Sequence, residues 1–336
     1  MAESRNKLGM SAETYGKYKI YYPIFGEAKI DGRRLFIVIR NSKPAALAHS
    51  GFDVTDRIPN ICANFVSMLS KYKRKNGVFD IEVTAELKKG DEYTSTWAKT
   101  GMLFTRAKNE AVVARIESEL EFAVFDFVSL DIFEASKFYE DETTCVVRDE
   151  LLRDIIDYNT NPNIFYVMKE VLHNEQEIDD YYAELLDFGF EGTMLKDMQS
   201  SYKNKERVAS WLKRKPEATE DFSIIDFELG SNKNSNRLGK ITVHVPGAKD
   251  TLRVGGGFKD KPPKKQIHYR NLKGTKEEFQ KLDVGTLCDR ETIWKFRNFL
   301  KGYYIEVKYQ DDKQSVTKTR RSPRFIRFRP DKTVKV

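Results

Sequence analysis

The chain has 336 residues, 40% hydrophobic and 12% aromatic, enough apolar material for buried cores at the usual ~100–200 residues per domain, which excludes a wholly disordered chain. Its net charge of +7 is uneven: residues 217–336 carry about +11 and the remainder about −4, so a basic C-terminal module is expected to meet a polyanion. Three scattered cysteines (Cys62, Cys145, Cys288), no apolar core in Met1–Lys17 and no run near the ~20 apolar residues of a membrane span argue against zinc-module, secreted and membrane classes and for a reduced, cytoplasmic setting.

Residues 1–16 are polar and are expected to be partly disordered. Tyr18–Tyr22 is predicted as a short strand. Arg34–Arg40 reads Arg-Leu-Phe-Ile-Val-Ile-Arg, a β-branched and aromatic strand. Lys29 therefore falls at a strand end, with Asp31-Gly32 as the hairpin turn. Asp56–Lys75 has Ile58, Ile61, Phe65, Met68 and Leu69 at helical spacing, closed by Gly77. Val78–Leu87 alternates, placing Asp80, Glu82, Thr84 and Glu86 on one face. Phe122–Leu130 is predicted as a strand, Arg148–Tyr158 and Glu177–Phe188 as helices, Thr193–Lys196 and Ser210–Lys215 as short strands. Pro216–Glu220 reads as a linker. Beyond it strands are predicted at Phe222–Leu229, Lys240–Val245, Leu252–Val254 and Tyr303–Tyr309, with Gly255-Gly256-Gly257 as a tight turn and Lys259–Lys273 as a cationic surface loop. Short strands in ~120 residues suggest a small barrel.

The chemistry centres on Lys29. The run Lys29-Ile30-Asp31-Gly32-Arg33-Arg34 sets an amine two residues ahead of an Asp-Gly turn. Lysine attacks only as the free amine, so its ordinary pKa near ~10.4 has to fall, and Arg34, Lys213 and Lys215 are the cations expected to lower it. In Trp211-Leu212-Lys213-Arg214-Lys215-Pro216 alternation points Lys213 and Lys215 to one face, where paired ammonium groups would stabilise charge building on a phosphoryl group. There is no G-x-x-x-x-G-K-[ST] phosphate loop.

Taken in order, Glu27–Arg34, Glu86, Glu191-Gly192-Thr193-Met194-Leu195-Lys196, Trp211–Pro216 and Arg329-Pro330-Asp331-Lys332 resemble the covalent nucleotidyltransferase superfamily and, within it, the ATP-dependent DNA ligases of the small kind that viruses and phages often encode. The family's usual Asp-Gly-Glu motif is matched here to Thr84-Ala85-Glu86-Leu87, which keeps only the glutamate and leaves Glu82 as a competing choice. The resemblance implies an α+β nucleotidyltransferase (adenylation) domain over residues 1–218, with antiparallel sheets and flanking helices. An all-β OB-fold barrel over 219–336 would follow it.

The resemblance further implies that Lys29 is the nucleophile, with Lys213 and Lys215 as catalytic cations on the nucleotide phosphates. Glu27, Ile30, Arg34 and Phe125 would hold the nucleoside, Phe125 by stacking. Glu86 and Glu191 would hold Mg²⁺, for which Mn²⁺ can substitute; such hard cations take carboxylate, phosphate and water oxygens. Arg329 and Lys332 would meet the outer phosphates of ATP. His49 occupies a place that the family usually gives to arginine, where its phosphate contact would vary with pH near neutrality. The expected cofactors are ATP and Mg²⁺, and the expected partner is nicked duplex DNA bound by a monomer. No membrane partner is expected, nor room for a further N-terminal DNA-encircling domain. An RNA ligase or RNA-capping guanylyltransferase shares the lysine motif, but the Trp-x-Lys-x-Lys-Pro and Glu-Gly-x-x-x-Lys runs favour the DNA ligases.

Overall fold

The computed structural model describes residues 7–86, 96–106, 110–135, 143–247, 251–311 and 320–332. The chain divides into two compact units, Met1–Lys215 and Pro216–Val336.

In the first unit the order is β1 (Ser11–Thr14), β2 (Ile24–Lys29), β3 (Arg33–Arg40), β4 (Lys43–Ala48), α1 (Pro59–Lys71), β5 (Gly77–Thr84), α2 (Thr96–Arg106), α3 (Glu110–Glu119), β6 (Glu121–Val128), α4 (Leu130–Glu134), α5 (Cys145–Ile156), β7 (Ile164–Tyr166), β8 (Lys169–Leu172), α6 (Glu175–Asp187), β9 (Gly192–Asp197) and β10 (Arg207–Arg214). The strands make two five-stranded sheets, β1-β10-β9-β2-β8 and β4-β3-β5-β6-β7.

The near-continuous apolar run of β3 is explained by burial on both of its faces. Leu35, Ile37 and Ile39 pack with Ile61, Phe65, Met68 and Leu69 of α1. Phe36 and Val38, on the opposite face, pack with Val208 and Trp211 of β10. The two sheets thus share one apolar layer, and a cleft opens beside it. α1 starts with Pro59 in its first turn, and α6 is capped by Asn174, whose side chain accepts a hydrogen bond from the Glu177 amide at 3.0 Å.

Several expectations are corrected. Tyr18–Tyr22 is not a strand: Tyr18, Tyr21 and Tyr22 are exposed, and the next paired strand begins at Ile24, after Pro23, which has no amide to donate. Within residues 1–16, expected to be partly disordered, the described part holds β1, which pairs in parallel with β10, almost two hundred residues away. Leu87, predicted to end the strand of β5, lies outside the described residues.

The second unit contains β11 (Glu217–Leu229), β12 (Leu238–His244), β13 (Thr251–Val254), α7 (Lys276–Gln280), α8 (Arg290–Lys295), α9 (Arg297–Leu300), β14 (Tyr304–Asp311) and β15 (Arg320–Arg329). Glu217–Glu220, read as a linker, is the start of β11, because these residues pair with Lys308, Tyr309 and their neighbours on β14. The antiparallel sheet runs β13-β12-β11-β14-β15, and Phe222, Ile305 and Phe328 align across three adjacent strands in its core. Among the described residues this sheet is not a closed barrel: past the end of β13, Gly256 makes one isolated bridge to Arg324 of β15. The unit is not all-β either, since α7–α9 pack with the sheet through Phe279, Ile293, Phe296 and Leu300. The expected loop at Lys259–Lys273 contains a 3₁₀ segment, Lys264–Asn271, held by buried Tyr269. Among the described residues no helix is long and apolar enough to cross a membrane.

Candidate active site

The cleft of the first unit encloses about 780 Å³ and is lined from both sheets, by Glu27, Lys29, Ile30, Arg34, His49, Glu82, Phe125, Arg207, Trp211 and Lys213 among others. Lys29 closes β2 and pairs in register with Gly192 on β9. Its carbonyl accepts from the Glu191 amide at 3.0 Å, and its ammonium donates to Glu191 Oε2 at 2.5 Å. The other Glu191 oxygen accepts from Lys215. Gly192 makes this approach possible. Its φ is +146°, and a Cβ there would lie 2.1 Å from the Arg214 carbonyl oxygen, so no larger residue fits the junction.

The charges do not act as the sequence suggests. Burial draws the pKa of Lys29 down, but Glu191 and then Glu82 more than offset it, and the net is a lysine held above its ordinary value. The expectation that Arg34, Lys213 and Lys215 lower it is therefore corrected: the interposed carboxylate dominates. The other two lysines are the depressed ones. Burial, Arg207, Lys215 and Lys29 lower Lys213, and burial and Lys29 lower Lys215. Glu191 is lowered, since Lys29 and Lys215 outweigh its burial.

At the other end, Glu27 is buried and its Oε1 lies 2.6 Å from the Lys196 ammonium. Glu27 Oε2 has no hydrogen-bond partner. Lys196 also donates to the Phe125 carbonyl at 3.3 Å and sits over the Phe125 and Trp211 rings at 4.7 and 4.3 Å. Phe125 is half-buried: it lines the cleft, edge-on to Trp211, and packs against the apolar layer between the sheets. Ile30 lines the cleft beside Lys29. Arg34 lines it too, but is strongly committed: it donates to both Asp80 oxygens at 2.7 and 2.5 Å and to the Met10 carbonyl at 2.7 Å, while Tyr202 donates to Asp80 at 2.9 Å. Asp80, Tyr202 and Met10 were not anticipated from the sequence.

Two further expectations change. Glu86 lies beyond the end of β5 with an exposed side chain and is not among the cleft-lining residues, whereas Glu82 lines the cleft. Burial pushes the Glu82 carboxyl up to about 7, with Lys29 and Arg34 only partly opposing. A signal existed: Asp80-Ile81-Glu82 departs from Asp-Gly-Glu by its middle residue alone. His49 lines the cleft, but burial, Arg34 and Lys7 depress its pKa to about 4, so it is neutral near pH 7 and does not titrate there.

Among the described residues no group of three or more His, Cys, Asp or Glu side chains is placed to hold a metal. Glu82 and Glu191 both bear on Lys29, and two carboxylates fit a hard cation that takes its other oxygens from phosphate and water. In the second unit, Arg329 donates to Asp221 at 3.1 Å and to Asp331 at 2.8 Å, and Lys332 donates to Asp221 at 2.5 Å.

A strand-end lysine held by a glutamate and flanked by strand lysines, in a cleft between two mixed sheets, defines a nucleotidyltransferase-like ligase fold. The chain belongs to the ATP-dependent DNA ligases: the family described as the ATP dependent DNA ligase domain matches residues 12–215. The DNA ligase of Natronomonas pharaonis is 26% identical over 317 residues, 91% of this chain and 52% of that protein. That of Methanococcus aeolicus is 24% identical over 310 residues, 92% of this chain and 51% of that protein. The chain thus spans about half the length of these curated relatives. Among solved structures, the ligase Pmar-Lig_PreS3 superposes with a TM-score of 0.68 at 20% identity, covering 96% of this chain and 67% of that one. A Lig E DNA ligase does so with a TM-score of 0.63 at 15% identity, covering 96% and 99%. These structural likenesses are likenesses of fold.

Proposed function

We propose that the chain seals nicks in duplex DNA, using ATP and passing through a lysyl-AMP adduct. The observation that carries this reading is Lys29 at the end of β2, 2.5 Å from Glu191, in a cleft that also presents Lys213, Glu27 and Phe125.

Lys29, once it has shed a proton, attacks the α-phosphate of ATP; an N–P bond forms and pyrophosphate leaves. Lys213 and Lys215, on and just beyond β10, stabilise the charge that builds on the phosphoryl oxygens. Phe125 offers a ring to the base, and the Glu27 carboxylate, on the cleft wall, offers an acceptor to its exocyclic amine. The AMP then passes to the 5′-phosphate at the nick, and the 3′-hydroxyl displaces it. Glu82 and Glu191 are the residues that would hold Mg²⁺, which when bound supplies charge neutralisation at the phosphates. Arg329 and Lys332 act on the leaving pyrophosphate. The second unit serves as an OB-type DNA-binding module, supported by its five-stranded antiparallel sheet and its positive charge. On this reading the chain works as a cytoplasmic monomer in replication and repair.

The test is incubation with α-labelled ATP and Mg²⁺ followed by a denaturing gel, then sealing of a nicked duplex. Label on the wild type but not on Lys29→Ala, followed by sealing, supports the reading. A GTP-only adduct, or an adduct without sealing, refutes it. Prior treatment with pyrophosphate removes any nucleotide already bound.

A further inference from the structure

Behind Glu27 lies a charged residue that the chemistry above does not use. Lys169 faces Glu27 directly across β2 and β8, as paired residues of the ladder. Its side chain is 2% exposed, and its ammonium lies 2.5 Å from Asp149 Oδ1 and 3.6 Å from Glu27 Oε2. The second distance is too long for a hydrogen bond but within ion-pair reach. Lys169 thus attracts the oxygen without occupying it, and that oxygen is the one with no partner.

A buried lysine is costly unless paired, so its place needs an account. Asp149 also accepts from Arg153 at 2.8 Å and from the Tyr166 hydroxyl at 2.7 Å, so Lys169 is one of three groups around it. Around Glu27, Lys169 is one of two flanking lysines, the other being Lys196. With Lys196 on Oε1 and Lys169 behind Oε2, the carboxylate is fixed from two sides. Lys169 itself does not line the cleft.

We propose that Lys169 is a positioning residue for base selection: by holding Glu27 from behind, it tunes the cleft to a purine whose exocyclic amine can donate to the Glu27 carboxylate. This rests on reading the cleft as a nucleotide site. It predicts that Lys169 matters in proportion to the amine on the base, which a general role in folding does not predict.

The experiment compares adduct formation by the full chain with ATP and with purine riboside 5′-triphosphate, which lacks the exocyclic amine. Lys169→Met is expected to lower kcat/KM for ATP about tenfold or more, mostly through KM, and to change the amine-free nucleotide by less than about threefold, the scale of one hydrogen bond to a charged group. Lys169→Arg is expected to restore most of the preference. Should Lys169→Met not fold by its thermal melt, Lys169→Gln, which keeps a donor, is read by the same ratio. Equal losses for both nucleotides, or no loss, overturn the proposal. A wild type that takes up neither nucleotide refutes the nucleotide-site reading, and the proposal with it.

Discussion

Lys29 and Glu191 form a 2.5 Å ion pair at the ends of adjacent strands, and the second oxygen of Glu191 holds Lys215. The proposed nucleophile therefore rests as an ammonium held by a carboxylate. The proposed chemistry at Lys29 has to begin by loosening that pair; a cation that competes for Glu191, or a phosphate that competes with Glu191 for the lysines, would do so.

The pH dependence follows in sign. The Lys29 pKa is raised above its ordinary value, so the free amine becomes more abundant as pH rises. Adduct formation measured as kcat/KM, which reports the free enzyme, is expected to climb through the neutral and alkaline range. Glu191→Gln removes the charge that holds the proton, so the limb is expected to move to lower pH while the maximum rate falls. Single-turnover labelling between about pH 6 and 10 checks both. A mutant profile shifted to higher pH contradicts the pairing.

Lys29→Ala is expected to abolish adduct formation, yet leave the joining of a pre-adenylated nick measurable, since that last step uses the 3′-hydroxyl and not the amine. The two assays on one preparation separate a lost nucleophile from a lost fold. A persisting adduct would move the nucleophile elsewhere.

Glu82 and Glu86 are expected to differ sharply. Glu82→Ala is expected to reduce adduct formation roughly 10²-fold or more, the usual scale for removing one group that stabilises developing charge. Glu86→Ala, outside the cleft, is expected to cost less than about threefold, because exposed side chains away from the chemistry seldom matter more. Equal losses would restore Glu86 to the site.

The contrast between these two glutamates shows what the sequence makes legible. Lys29, Glu191, Lys213 and Lys215 are readable because each sits in a short run whose spacing has a chemical meaning. Period-2 alternation placed Glu82 and Glu86 on one face, but alternation carries no information on where β5 stops, and β5 ends at Thr84. Tyr202, Met10 and Lys169 were unreadable because their meaning lies in partners distant in sequence: Tyr202 meets Asp80 and Met10 meets Arg34. The same holds for β1, whose partner β10 no local pattern announces. For Lys29 the nearest residues suggested a cationic surrounding, and only the fold brought Glu191 between the lysines.

Gly192→Ala is expected to be far more disruptive than a methyl group suggests. The φ of +146° alone imposes strain on the order of 1–3 kcal/mol on any other residue, and the new Cβ would meet the Arg214 carbonyl at 2.1 Å. Relief requires β9 and β10 to separate where Lys29, Glu191 and Lys215 converge. The expected result is a melting temperature lower by several degrees together with loss of adduct formation. Full activity would mean that the junction is not as tight as described.

Arg329 and Lys332 are best tested by point substitution. Removing residues from 320 onward would take away β15, and with it Phe325 and Phe328 from the core of the second unit, so a dead truncation would say nothing about phosphates. Arg329→Ala and Lys332→Ala leave that core intact, and each removes one of the two cations that contact Asp221. Each is expected to slow adduct formation with ATP by about tenfold or more while sparing the joining of a pre-adenylated nick, the pattern of a group that acts on the departing pyrophosphate alone. A variant that instead loses both steps equally would place Arg329 and Lys332 in DNA binding, and raising the salt should then weaken the wild type more than the variant.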